Sequence, residues 1–307
     1  MTTALFYHED CVHHDQGGGH PEQPARLAAV LDALKRDGHY DKLDLRSPDL
    51  ANDRDIERVH PAQYVAHVNA VSPEQGRVSL DPDTTINPHS LTAARRAAGA
   101  AVGAVDGVMA GEFDAAFCAV RPPGHHAERE KAMGFCLFGS VAIAAKRALD
   151  EHGLERVAIV DFDVHHGNGT EDLVEHDPRI LFCSSFQYPH YPGYYRENLE
   201  GQRVNTPLPG ASGGREFRES VVQQWLPVLN EQKPQLVIVS AGFDAHRDDP
   251  LASLNLVEDD FHWITRELLT VADAHAGGRM VSMLEGGYNL DALGHSASAH
   301  LRALLER

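Results

Sequence analysis

The chain has 307 residues, with 27 Lys and Arg against 45 Asp and Glu, a formal charge of −18, and 20 histidines. Such an acidic balance argues against general DNA or RNA binding, which needs a basic footprint. With 42% hydrophobic and 23% charged residues the composition is that of a globular protein, not a disordered one.

From the N-terminus, MTTALFYHED lacks a basic region followed by an apolar core, so no signal peptide is expected. No apolar stretch reaches the roughly 18 residues of a membrane span. A strand is predicted over 4–7 and a helix over 24–36, before a polar stretch at 72–90 that reads as a long loop. An Ala- and Gly-dense helix over 89–110, suited to close packing on a sheet, precedes a strand over 115–120. A helix over 139–151 leads to strands over 157–160 and 180–183, and 187–214 reads as a second long loop. A helix over 215–230, a strand over 236–240, a helix over 259–275, a strand over 280–284 and a helix over 290–305 complete the chain.

Runs such as VAIV and LVIVS are apolar on both faces, as in parallel strands covered by helices. Their alternation with helices predicts a doubly wound α/β sheet, in one domain over 1–307. The four cysteines, Cys11, Cys118, Cys136 and Cys183, form no C-x-x-C pair, which favours a reduced, cytoplasmic setting.

Ligands of open parallel sheets bind beyond the carboxyl ends of the strands, and polar clusters follow strand after strand here. They are RPPGHHA (121–127), DFDVHHGNGT (161–170), SSFQ (184–187), AGFD (241–244) and EGGY (285–288). If the strand at 157–160 runs on, Asp161, Asp163 and His165 share one face. Carboxylates there are costly unless a cation neutralises them, although an isolated D-x-D-x-H also suits a solvated strand end. Asp244, at the exit of another apolar strand, is either a turn residue or a further ligand.

Asp163, His165 and Asp244 would form an Asp₂His site with an open position, the pattern of a catalytic zinc; iron(II) or cobalt(II) suits the same donors. His125 and His126 offer imidazoles for proton transfer near neutrality. Tyr288 offers a phenol to a developing oxyanion.

Taken in order, RPPGHHA, GFCLF, DFDVHHGNGT, SAGFD and EGGY resemble the histone deacetylase superfamily, and more narrowly class II and the bacterial histone deacetylase-like amidohydrolases. The resemblance runs from GGGHPEQPARL (17–27) through DPDT (81–84) to EGGYNL (285–290). It implies an arginase/deacetylase-like α/β fold with a central eight-stranded parallel sheet flanked by helices. It also implies a zinc-dependent hydrolase that removes acetyl or other short acyl groups from lysine side chains or similar amines, releasing acetate.

By the same resemblance Asp163, His165 and Asp244 match the zinc ligands, and His126 the general base and acid. His125 matches its supporting imidazole, Tyr288 the oxyanion donor and Asn168 the partner of His126. A neutral Asn raises the pKa of that histidine less than a carboxylate would. Asp161 matches the partner of His125 and, with Asp163, His165, Ser184 and Ser185, a structural potassium site. Gly134, Phe135 and Tyr191 match the wall of the acyl tunnel.

Where a polyamine-selective branch has Glu after Asp-Pro, this chain has Leu251. That favours an acetylated lysine peptide or protein over the alternative, an acetylpolyamine amidohydrolase acting on small acetylated amines. The sequence departs from the pattern at Gly139-Ser140 and at YPGYY (191–195), where a bulkier rim is expected. Extra histidines lie in CVHHDQGGGH (11–20). The acidic surface could steer basic peptides or polyamines to the pocket.

Overall fold

A computed structural model describes residues 2–307. Ten strands are numbered here in chain order: β1 (Thr3–Phe6), β2 (Asp44–Arg46), β3 (Val78–Ser79), β4 (Thr85–Ile86), β5 (Ala115–Cys118), β6 (Val157–Asp161), β7 (Ile180–Gln187), β8 (Arg203–Leu208), β9 (Val237–Ala241) and β10 (Met280–Leu284). Eight form one sheet in the order β2-β1-β5-β10-β9-β6-β7-β8, while β3 and β4 make a separate small hairpin. Every pairing in the large sheet is parallel. The eight-stranded parallel sheet flanked by helices is therefore the one the resemblance implies.

Neighbouring residues of β5 show how both faces are covered. The Phe117 ring stands 5.5 Å from that of His300, in helix Leu290–Leu305. The Cys118 thiol, one residue on, reaches the Ala100 carbonyl at 3.6 Å, in helix Ser90–Ala110. Adjacent strand residues point to opposite faces, so the two helices cover opposite sides. Helix Ser90–Ala110 packs with helix Ser140–Asp150, while helices Ala25–Arg36, Glu258–His275 and Leu290–Leu305 form the other layer. The small residues of helix Ser90–Ala110 permit close approach: a Cβ on Gly99 would strike the Asp49 carbonyl.

Five of the six predicted helices are present within one residue of their predicted ends; the exception is 215–230. That stretch is a helix at Gly214–Ser220, a π-turn at Val221–Trp225 and a second helix at Leu226–Gln232. Pro227 has no N–H for a regular helical bond, and the wide turn falls just before it. Helices at Asp10–His13, Asp53–Ile56, Ala62–Val71 and Asn168–Val174 were not anticipated. The two long polar stretches are not wholly loop either, since they carry the β3–β4 hairpin and β8.

Candidate active site

The five polar segments sit on five strands that are contiguous in the sheet, β5-β10-β9-β6-β7. All five strands are buried throughout, so each delivers polar groups from an apolar interior to the same carboxyl edge.

One local expectation is corrected. The strand does not run on through the D-x-D-x-H; β6 ends at Asp161. The chain then turns on its own carboxylates. The Asp163 N–H donates to Asp161 Oδ1 at 3.1 Å, and the His165 N–H to Asp163 Oδ1 at 2.9 Å. Aspartate side chains commonly bond backbone two residues on, and these two bends, not strand alternation, bring Asp163 and His165 together. A second correction concerns SSFQ, which lies inside β7 rather than after it. Ser184 is thereby paired in register with Asp161.

Asp163, His165 and Asp244 offer ligand atoms that all lie within 4.8 Å of one another, and all three residues are buried. His165 Nδ1 is 3.0 Å from Asp163 Oδ1 and 3.2 Å from Asp244 Oδ2. Asp244 Oδ1 accepts the Val164 N–H at 2.8 Å, whereas the buried Oδ2 has no hydrogen-bond partner. Glycine makes room for both carboxylates: a Cβ on Gly286 would collide with Asp244 Oδ2, and one on Gly242 with Asp163 Oδ2.

The charges fit a cation. Burial, with the Asp163 carboxylate beside it, pushes Asp244 up to about 7. Burial opposes charge on His165, yet its bond to Asp163 and the nearby Asp244 carboxylate carry it up to about 10. Two carboxylates and one imidazole thus favour positive charge at their centre, and a free carboxylate oxygen already points there. The donors present suit a zinc-type ion with an open coordination position.

His125 and His126 lie side by side, rings 4.0 Å apart, but in opposite electrostatic settings. His125 Nδ1 is 3.0 Å from Asp161 Oδ2 and its Nε2 3.7 Å from Asp163 Oδ2. Burial disfavours its charge, but Asp163 and Asp161 outweigh that and hold its pKa well above 6.5. His126 instead meets a neutral partner, with Nδ1 2.7 Å from Asn168 Oδ1. Burial, then the charges of His125 and His165, hold it well below 6.5. One imidazole of the pair is kept charged and the other neutral. Glu285, pushed up to about 7 by burial, fixes their loop by accepting the N–H groups of Gly124 and His125 at 2.7 and 3.1 Å.

A cavity of about 210 Å³ opens onto His126, His165 and Tyr288, walled by Gly134, Phe135, Tyr191 and Leu251, with Asp83 and His190 also lining it. The Tyr191 ring stands edge-on to His126 at 5.0 Å and Phe135 edge-on to Tyr288 at 5.9 Å. Burial, then the Asp244 carboxylate, raises the Tyr288 pKa well above 10, so its phenol keeps its proton. Gly134 has φ 56°, and a Cβ there would strike the His126 ring. Gly134→Ala is therefore expected to displace that ring and lower turnover about 100-fold, the scale of a 1 Å misplacement. Steady-state kinetics of the folded variant check this, and near-normal kcat would contradict the close approach.

Several residues at the site were not singled out in the sequence. Buried Arg26 donates from Nε to the Gly287 carbonyl at 2.7 Å and from Nη2 to the Glu285 carbonyl, and lies 5.0 Å over the Tyr288 ring. It clamps the turn that presents Tyr288. Glu22 holds Arg26 at 3.2 Å and Arg121 Nη2 at 2.7 Å, which keeps two buried guanidinium groups paired. Asp83 accepts the Gly134 N–H at 3.0 Å and the Thr84 hydroxyl at 2.8 Å. The segments GGGHPEQPARL and DPDT signalled these residues only as part of a longer match. Nothing local marked His190, which stacks on His165 at 5.1 Å.

An eight-stranded parallel sheet with this edge is the arginase/deacetylase class of fold. Residues 20–304 match the histone deacetylase domain, and the chain belongs to the histone deacetylase family. It is 38% identical to a histone deacetylase-like amidohydrolase of Pseudomonas aeruginosa, over 94% of this chain and 82% of that protein. It is also 38% identical to a probable deacetylase of Archaeoglobus fulgidus, over 95% of this chain and 82% of that one. Among solved structures it is similar to the HDA15 HD domain, with a TM-score of 0.93 and 33% identity over 99% of this chain and 90% of that one. Membership of this family makes the chain a hydrolase of the deacetylase and amidohydrolase kind.

Proposed function

We propose that this protein is a zinc-dependent deacylase that hydrolyses the side-chain amide of acetyl-lysine, or of a similar short-chain acylated amine, releasing acetate and the free amine. The observation that carries this reading is the meeting of the Asp163–His165–Asp244 donors with His126 and Tyr288, where His165, His126 and Tyr288 line one cavity and burial lowers the His126 pKa and raises that of Tyr288. Zinc held by the three donor residues would supply a Lewis acid for the amide carbonyl and acidify water.

The chain's own groups do the rest. His126, neutral and facing the cavity, takes the proton of the attacking water. Tyr288 donates a hydrogen bond to the carbonyl oxygen as it becomes an oxyanion. His125, kept charged by Asp161 and Asp163, supports the transfer of a proton to the departing amine. Phe135 and Tyr191, across the Gly134 gap, flank an extended acyl-lysine stem and exclude water from it. Asp161 with Ser184, Ser185 and the backbone of Asp163 and His165 is our site for potassium, whose charge would offset the buried carboxylates.

Leu251 on the cavity wall supports acyl-lysine over an acetylpolyamine. Asp83, the one acid on that wall, is already engaged by Gly134 and Thr84. The partner is then an acetylated peptide or small acylated amine, and not nucleic acid. Among the described residues no helix is long and apolar enough to cross a membrane. The four free, buried cysteines support a cytoplasmic setting.

The test couples metal analysis with hydrolysis of an acetyl-lysine peptide, N-acetylputrescine and N-acetylspermidine. Zinc is expected in the purified protein. Chelation should abolish turnover and lower the melting temperature, because an ion that binds only the native state stabilises it. Zinc without hydrolysis of any amide would sink the enzyme reading, and strong preference for the polyamines would sink the lysine reading.

A further inference from the structure

Which nitrogen of His126 carries the proton is decided by the side-chain amide of Asn168. Asn168 Oδ1 lies 2.7 Å from His126 Nδ1. An amide oxygen only accepts, so Nδ1 must donate, and Nε2 keeps the lone pair that a base needs. Turned over, the amide would present its NH₂ to the ring and force the proton onto Nε2. The two orientations have nearly the same shape. The choice therefore rests on what meets the other end of the amide.

At that end stand Glu128 and Tyr194. Asn168 Nδ2 donates to Glu128 Oε1 at 2.8 Å and to the Tyr194 hydroxyl oxygen at 3.2 Å, and Tyr194 in turn donates to the same Glu128 oxygen. A turned amide would set Asn168 Oδ1 against a carboxylate oxygen with no proton between them. Glu128 is itself held by a tight turn, its N–H donating to the Lys131 carbonyl at 2.9 Å. Tyr194 comes from YPGYY, the bulky rim segment whose Tyr191 lines the cavity.

We infer that Glu128, braced by Tyr194, is a positioning residue that locks the Asn168 amide and thereby sets the tautomer of His126. Its effect on catalysis rests on the hydrolase reading above, but its effect on the tautomer does not. Holding a catalytic imidazole in the wrong tautomer costs rate even where its geometry is intact.

The test replaces Glu128 by a donor and by a neutral acceptor. Glu128→Lys should attract Asn168 Oδ1, turn the amide and lower kcat by about 10- to 100-fold with KM nearly unchanged. Glu128→Gln can still accept from Asn168 Nδ2 and should keep kcat within about threefold. In an Asn168→Asp background the order reverses. The ammonium introduced by Glu128→Lys then pairs with the new carboxylate, and the double variant should turn over faster than Asn168→Asp alone.

Nitrogen-15 spectra of the zinc-loaded protein, with His126 assigned from a His126→Gln sample, should show an Nδ1–H ring in the wild type and Glu128→Gln. Glu128→Lys should move it toward Nε2–H. Should that variant fail to fold, Glu128→Leu with Tyr194→Phe removes both oxygen acceptors, leaves Asn168 Nδ2 only the weak acceptor Met133 Sδ at 3.5 Å, and predicts a change in the same direction. An unchanged ring, a Glu128→Gln variant as slow as Glu128→Lys, or equal losses in both backgrounds would overturn the assignment. If the wild type cleaves no acylated amine, the hydrolase reading fails, and the ring spectrum alone decides the role of Glu128.

Discussion

His126→Ala is expected to lower kcat on an acetyl-lysine peptide by about 100- to 10,000-fold, the usual contribution of a positioned acid–base group. Metal content and melting temperature should stay near those of the wild type, because alanine removes a neutral ring and leaves no buried charge unpaired. His126 lies beside the donor cluster, with its ring 5.7 Å from that of His165, but it supplies none of the three donors. Kinetics paired with metal analysis make the check: wild-type turnover by the metal-loaded variant would remove His126 from the mechanism. Loss of the metal would instead move it into the binding set.

Tyr288→Phe is expected to lower kcat by about 100- to 1,000-fold, the cost of one oxyanion donor, with KM changed little. The substitution deletes only the hydroxyl. The ring contact with Phe135 and the cover of Arg26 remain, and so does the backbone bond from the Tyr288 N–H to Asp249 Oδ2 at 2.7 Å. Fold and cavity should survive. A raised KM at normal kcat would mean that the phenol binds substrate without stabilising the reacting oxygen.

What could be read from the sequence follows burial. The six anticipated strands include the five at the centre of the sheet, each a short apolar run with no exposed face. Besides the small β3–β4 hairpin, the two strands of the large sheet that escaped, β2 and β8, are edge strands of mixed exposure, where apolar patterning weakens because one side is open. Residues named by their place after a strand, such as Asp163, Asp244 and Tyr288, converge at one edge because parallel topology requires it. The bends that join Asp163 to His165 were not legible, since aspartate side chains replaced the strand ladder. Nor were Glu128, Arg26 and His190, whose importance lies in contacts across chain separations that no local pattern encodes. Arg26, for example, reaches Gly287 over 261 positions.

The contiguity of β5, β10, β9, β6 and β7 also bears on how the centre comes into being. Its pieces are drawn from residues 121 to 288 and meet only when strands far apart in the chain have docked side by side. Contacts of such long sequence separation form late and at high entropic cost. A half-formed sheet would hold Asp163 and His165 near each other but lack Asp244, contributed after β9, and Tyr288, contributed after β10. A stalled folding intermediate would carry two of the three donors and none of the chemistry, so the strand arrangement itself makes the reactive centre an all-or-none property of the native state.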